Sequence, residues 1–157
     1  MSVSRFCRKP ALTICPDATV HEAAVRMKDS NVGCLVVVDD EARPIGMLTD
    51  RDIALHVSGN PRRPDKTAVG DVMSVDIVTV REDASLQQAT ALIRDSAYRR
   101  LPVTGSDGRI EGILAADDLV IGLSHELNDL AEGLRRQVWT GERASLTPVE
   151  THATMHT

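Results

Sequence analysis

Aromatic residues are almost missing from this 157-residue chain, which has one Phe, one Tyr and one Trp, at positions 6, 98 and 139. That scarcity removes the stacking platform on which single-stranded nucleic acid is held. Any flat ring bound here lies among aliphatic side chains. A surplus of cations is missing too, with 18 Lys and Arg against 23 Asp and Glu and a net charge of −5. Counterion release, the main source of polyanion affinity, needs that surplus on one face. No nucleic-acid partner is expected. Nowhere do roughly 18 apolar residues follow one another, so no membrane span is expected and the reading is a cytoplasmic protein.

Chemical machinery is equally sparse. The three cysteines, Cys7, Cys15 and Cys34, are odd in number and show no C-x-x-C spacing, which argues against a zinc or redox pair. They read as reduced thiols, two or more of them buried. Cys15 and Cys34 have no basic motif beside them to make a nucleophile. His152 and His156 stand at i and i+4 in a polar tail, THATMHT, a spacing that holds a metal only on a helix. That tail has neither cap nor apolar face and reads as disordered. Neither a Walker A loop nor a G-x-G-x-x-G occurs. The expectation is therefore no catalytic residue, no metal and no enzyme.

What is present is a repeat. GMLTDRDI at 46–53 returns as GILAADDL at 112–119, and the offset of 66 residues holds without a gap from Thr13/Thr79 through Asp17/Asp83, Ala23/Ala89, Leu35/Leu101 and Val37/Val103 to Asp52/Asp118. Between the identities lie volume-conserving exchanges such as Met27/Ile93 and Met47/Ile113, as expected when two copies keep one packing plan. With 42% hydrophobic residues there is enough apolar material for a core.

Each copy reads as strand, helix, strand, strand, helix. ALTIC (11–15) and DIVTV (76–80) are short β-branched runs suited to strands. Thr19-Val-His-Glu22 and Ser85-Leu-Gln-Gln88 have the form of a capping box and open helices with one apolar face. CLVVVDD and RLPVTGSDG read as strands running into turns, PIGMLT and IEGILA as the returning hairpin strands. A unit this small cannot bury its sheet alone, so the two copies pack about a pseudo-twofold axis. The expected division is a first repeat over 1–60, a linker over 61–68, a second repeat over 69–123, a C-terminal amphipathic helix over 124–143 and a disordered tail over 144–157.

The two-copy pattern of an apolar strand, an Ala-rich helix, an acidic or glycine turn and G-h-h-T-x-x-D-h (h apolar) resembles a tandem pair of cystathionine-β-synthase (CBS) domains, a Bateman module, over roughly residues 5–122. The resemblance implies an α/β (α+β) fold of two βαββα CBS repeats plus a C-terminal helix. It also implies clefts that bind an adenosine-containing ligand such as AMP, ADP, ATP, NAD or S-adenosylmethionine. Its function is then a regulatory sensor signalling to a partner protein in trans, with no effector domain expected on this chain. The alternative is a dimeric interaction module with degenerate, non-binding sites.

Thr49 ends a strand and opens a helix, where free amides and the helix dipole favour an anion. Asp52 offers two acceptor oxygens to the paired hydroxyls of a ribose. The plain alternative is an N-cap and its N3 acid, with no ligand involved. In the second copy Ala115 replaces Thr49 and Asp117 replaces Arg51, while Asp118 keeps the acid. Exchanging a cation for an anion there disfavours phosphate, so the Asp52 cleft is expected to take the anionic nucleotide and the Asp118 cleft to be empty, weaker or filled by a less charged ligand. Arg99 and Arg100 carry forked donors suited to phosphate, and the resemblance implies that basic residues here reach it. The linker cations Arg62, Arg63 and Lys66 have the weaker claim of an exposed, Pro-rich connector. With Arg51, Thr13 and Val37 the candidate ligand set is complete.

Beyond the second motif, Leu119, Leu123, Leu127, Leu130, Leu134 and Val138 fall on one stripe of a long helix. Such a stripe needs cover, and a homodimer is the expected source.

Overall fold

The computed structural model describes residues 2–59, 63–96 and 98–144, with side chains through Gln137. Arg62 and the tail histidines lie outside these residues. Two compact units divide the chain, residues 1–119 and 120–157. The first contains both repeats.

In the first repeat β1 (Thr13–Ile14) is followed by α1 (Val20–Ser30), β2 (Cys34–Val38), β3 (Pro44–Thr49) and α2 (Asp50–Gly59). In the second, β4 (Val80–Arg81) leads to α3 (Leu86–Asp95), β5 (Arg100–Thr104), β6 (Ile110–Ala115) and α4 (Ala116–Ala144). The first strand of each sheet pairs parallel to the second, and the second pairs antiparallel to the third. Each sheet thus has three strands, as βαββα units require.

Both capping boxes form. The Glu22 amide donates to Thr19 Oγ1 at 3.1 Å while the Thr19 amide donates to Glu22 Oε2 at 2.7 Å. The Gln88 and Ser85 amides repeat the exchange at 3.2 and 2.8 Å. Two amides of each first turn, which have no partner within the helix, are satisfied in this way.

The first strand of each repeat is shorter than its apolar run suggests. In the first run Thr13 and Ile14 pair with Val36 and Val37; in the second only Val80 does, with Val103, and Arg81 just beyond the run pairs with Thr104. These are edge strands, and residues beyond the pairing have no second neighbour to hold them extended.

Segments ahead of each repeat are exchanged. Val3 is wholly buried, yet it packs with Val80, Leu101, Val103 and Leu114 of the second repeat. Val69, 66 residues later and also wholly buried, packs with Leu35, Val37 and Leu48 of the first. Backbone pairing follows the same exchange. Arg8 bridges Ile113 in β6, and Ser74 bridges Met47 in β3. Ser2 bridges Ser85 at the cap of α3, and Ala68 bridges Thr19 at the cap of α1.

The exchange explains two strand glycines. A Cβ on Gly112 would lie 2.6 Å from the Arg8 carbonyl oxygen, and one on Gly46 would lie 2.6 Å from Met73 Sδ and 3.0 Å from the Ser74 carbonyl oxygen. Only glycine lets the crossing arm approach that closely. The linker expected over 61–68 is exposed at Arg63, Asp65 and Lys66 and tied down at its end. Thr67 and Val69 are buried, and the amides of Val20 and His21 donate to the carbonyls of Thr67 and Pro64.

The helix of the second motif and the expected C-terminal helix are a single element, Ala116–Ala144. Leu119 is buried in the second core, whereas Leu127, Leu130 and Leu134 are 67%, 61% and 55% exposed. The Val138 side chain lies outside the described ones.

Candidate functional site

The opening of α2 forms the cap. Thr49 Oγ1 accepts from the Asp52 amide at 3.1 Å, and Asp52 Oδ2 accepts from both the Thr49 amide at 2.9 Å and the Thr49 hydroxyl at 2.7 Å. One oxygen of Asp52 is thereby committed to its own helix. Arg51 beside it is exposed.

At the start of α4 the same turn lacks the hydroxyl. Its backbone is bonded in the same way, since the Ala116 amide donates to the Arg99 carbonyl at 2.9 Å just as the Asp50 amide donates to the Gly33 carbonyl at 3.0 Å. With alanine at 115 there is no side chain to hold Asp118 as a capping acid. Its carboxylate instead meets Arg8 of the exchanged arm. Arg8 Nε donates to Oδ2 at 2.9 Å and Nη2 to Oδ1 at 2.7 Å, a two-pronged pair. The Arg8 side chain is 73% exposed and that of Asp118 only 17%.

A cavity of about 240 Å3 opens at this pair. Ile113, Ala115 and Asp118 come from the second repeat, Val32, Gly33 and Cys34 from the first. Leu12, Pro10 and Arg8 add to the lining, and Arg100 and Asp117 contribute charge. Arg99 Nη2 donates to Asp117 Oδ1 at 2.8 Å. Among the lining residues Arg8 and Arg100 stand against Asp117 and Asp118, so their charges balance. The remaining wall is largely aliphatic. Cys34 lies in that wall, where burial pushes its thiol up from the ordinary range, Arg100 opposing and Asp50 adding to the rise.

Positions related by the 66-residue offset are built differently. Tyr98 stands for Val32 and Asp76 for Pro10, and the Tyr98 hydroxyl donates to the Asp76 carbonyl. That bond ties together the two segments whose counterparts line the cavity.

Of the candidate ligand set, Asp118 and Arg100 share the cavity, and Arg99 reaches it through Asp117. Thr49, Arg51, Asp52 and Thr13 do not line it. Val37 is wholly buried in the first core and has no surface to offer a ligand, which corrects its assignment. Inward-facing strand positions look the same whether they meet core or ligand. Arg8 was missed, because nothing local in SRFCRKP announces that it crosses to the other repeat. Of the three free thiols, Cys34 alone is buried, Cys7 is half-buried and Cys15 is exposed, correcting the expectation of two or more buried. Among the described residues no group of three or more His, Cys, Asp or Glu is placed to hold a metal, and no helix is long and apolar enough to cross a membrane.

Two copies of one small unit, each completing the other's core and enclosing a polar-ended cleft between them, define a duplicated cleft-forming module. The chain belongs to the CBS domain family, whose profile matches residues 3–59 and 69–125. It is 39% identical over 109 residues to the CBS domain-containing protein YhcV of Bacillus subtilis, covering 69% of this chain and 76% of that one. An uncharacterized protein of Methanopyrus kandleri is 32% identical over 120 residues, 76% of this chain, which spans only 61% of that relative's length. Among solved structures, CBSX2 from Arabidopsis thaliana, determined in complex with AMP, superposes with a TM-score of 0.67 at 28% identity, covering 79% of this chain and 96% of the other.

Proposed function

We propose that this chain is a regulatory sensor that binds an adenosine-containing ligand in the Asp118 cleft and passes its occupancy to a partner protein. The observation that carries the reading is the Asp118 carboxylate, released from capping by Ala115 and set beside Arg8 and Arg100 in an otherwise largely aliphatic cavity. A carboxylate suits a ribose diol, guanidinium groups suit phosphate, and Leu12, Val32 and Ile113 suit a purine face without aromatic stacking. The AMP complex of CBSX2 supports this ligand class. The site assignment differs from the one expected from the motif, which favoured Thr49, Arg51 and Asp52. Asp118 lines the described cavity and Asp52 does not, and that difference favours the other cleft.

Isothermal titration of AMP, ADP, ATP, NAD and S-adenosylmethionine into wild type, Asp118→Ala and Asp52→Ala tests both. Binding lost in Asp118→Ala and kept in Asp52→Ala is the expected result. Loss in Asp52→Ala alone returns the site to the first motif. Absence of binding to wild type at millimolar ligand leaves the second reading, a homodimeric interaction module. That reading is favoured by the exposed Leu127, Leu130 and Leu134 stripe, and sedimentation of wild type against Leu130→Glu tests it directly.

A further inference from the structure

We propose that Arg8 is the specificity-determining residue of the Asp118 cleft and works by exchanging counter-ions. In the unliganded protein its guanidinium holds both Asp118 oxygens; a ribose takes over the carboxylate, and the released guanidinium turns to the phosphate. This rests on the Asp118 reading above and adds to it a selection for nucleotides over nucleosides.

Three observations carry the exchange. The Arg8 backbone is locked, its amide donating to the Ile113 carbonyl at 2.9 Å and its carbonyl accepting from the Ile113 amide at 3.0 Å. Its side chain, by contrast, is 73% exposed. The anchor is fixed and the long side chain is free to swing. Asp118 is only 17% exposed and both of its oxygens are taken, so a diol approaching from the cavity competes with Arg8 directly. Finally, the cavity of about 240 Å3 falls below the roughly 300–1,000 Å3 common for small-molecule sites. Moving the guanidinium off Asp118 enlarges it at the charged end.

Selection follows from what the displaced cation finds. A nucleoside breaks the pair and leaves Arg8 without a partner. A nucleotide breaks the same pair and supplies a phosphate, which forked guanidinium donors match as well as they match a carboxylate. Arg100, which also lines the cavity, is not engaged by Asp118 and attracts phosphate without sensing the diol.

The test titrates adenosine and AMP into wild type, Arg8→Gln and Arg8→Lys, with melting curves confirming that each variant is folded. The expected result is an AMP-over-adenosine preference in wild type that falls by ~10-fold or more in Arg8→Gln, through weaker AMP binding together with unchanged or tighter adenosine binding. Arg8→Lys, which keeps the charge and loses the fork, should show an intermediate preference. An Arg8→Gln protein that binds at Asp118 with the wild-type preference overturns the exchange and reduces Arg8 to a structural ion pair. Failure of wild type to bind either ligand, or binding that depends on Asp52 and not on Asp118, overturns the proposed site and this role of Arg8 together.

Discussion

A single hydroxyl decides how the two acids of the repeat are used. Thr49 occupies Asp52, whereas Ala115 leaves Asp118 to Arg8 and the cavity. The two positions are therefore expected to respond oppositely. Thr49→Ala removes an N-cap and should lower stability by about 1 kcal/mol, a fall of roughly 2–4 °C in melting temperature. Ala115→Thr supplies the missing cap, should raise stability by up to about 1 kcal/mol, and should weaken ligand binding by drawing Asp118 back to its own helix. Differential scanning calorimetry with and without AMP reads both effects. In the proposed reading the loss of the threonine, which as sequence resembles decay of a site, leaves Asp118 open to a ligand. The pairing of Asp118 with Arg8, 110 residues away, has no local sign in the sequence.

At the scale of elements, local signals were the legible part. The capping boxes at Thr19 and Ser85, the hairpin strands PIGMLT and IEGILA and the long final helix all depend on neighbours within a few residues, and each forms as its spacing implies. Strand length in β1 and β4 was not legible, because it depends on how many partners a strand finds. Close approach was not legible either. Nothing beside Gly46 and Gly112 in the sequence announces the crossing arms that require them. Gly112→Ala should cost about 1–3 kcal/mol, since the new methyl meets a backbone carbonyl that cannot move aside. Gly133→Ala makes the control, because it stands in α4 with nothing within 4 Å of where its methyl would lie and should add roughly 0.5–1 kcal/mol of helix stability. Urea denaturation of the two variants separates backbone crowding from helix propensity.

For the whole molecule, duplication was plain in the sequence and the exchange of arms was not. Val3 and Val69 stand in single 3-10 turns, each followed at i+3 and i+4 by apolar residues, Phe6 and Cys7 or Val72 and Met73, a run too short to say which core it joins. Each nevertheless fills the repeat it does not precede. Val3→Ala and Val69→Ala should each cost about 2 kcal/mol. Because each repeat depends on an arm attached to the other, unfolding followed by near-ultraviolet and by far-ultraviolet circular dichroism should show one coincident transition in both variants. Two separated transitions would mean that the repeats are energetically independent.

The exchange also has a consequence for how the chain is made. As synthesis proceeds, the first repeat is complete in sequence at Gly59 but lacks its last core residue until Val69 has left the ribosome. Val3, made long before, has no place to bury until β5 and β6 exist. The earliest part of the arm is thus among the last to be seated, and the order of assembly inverts the order of translation.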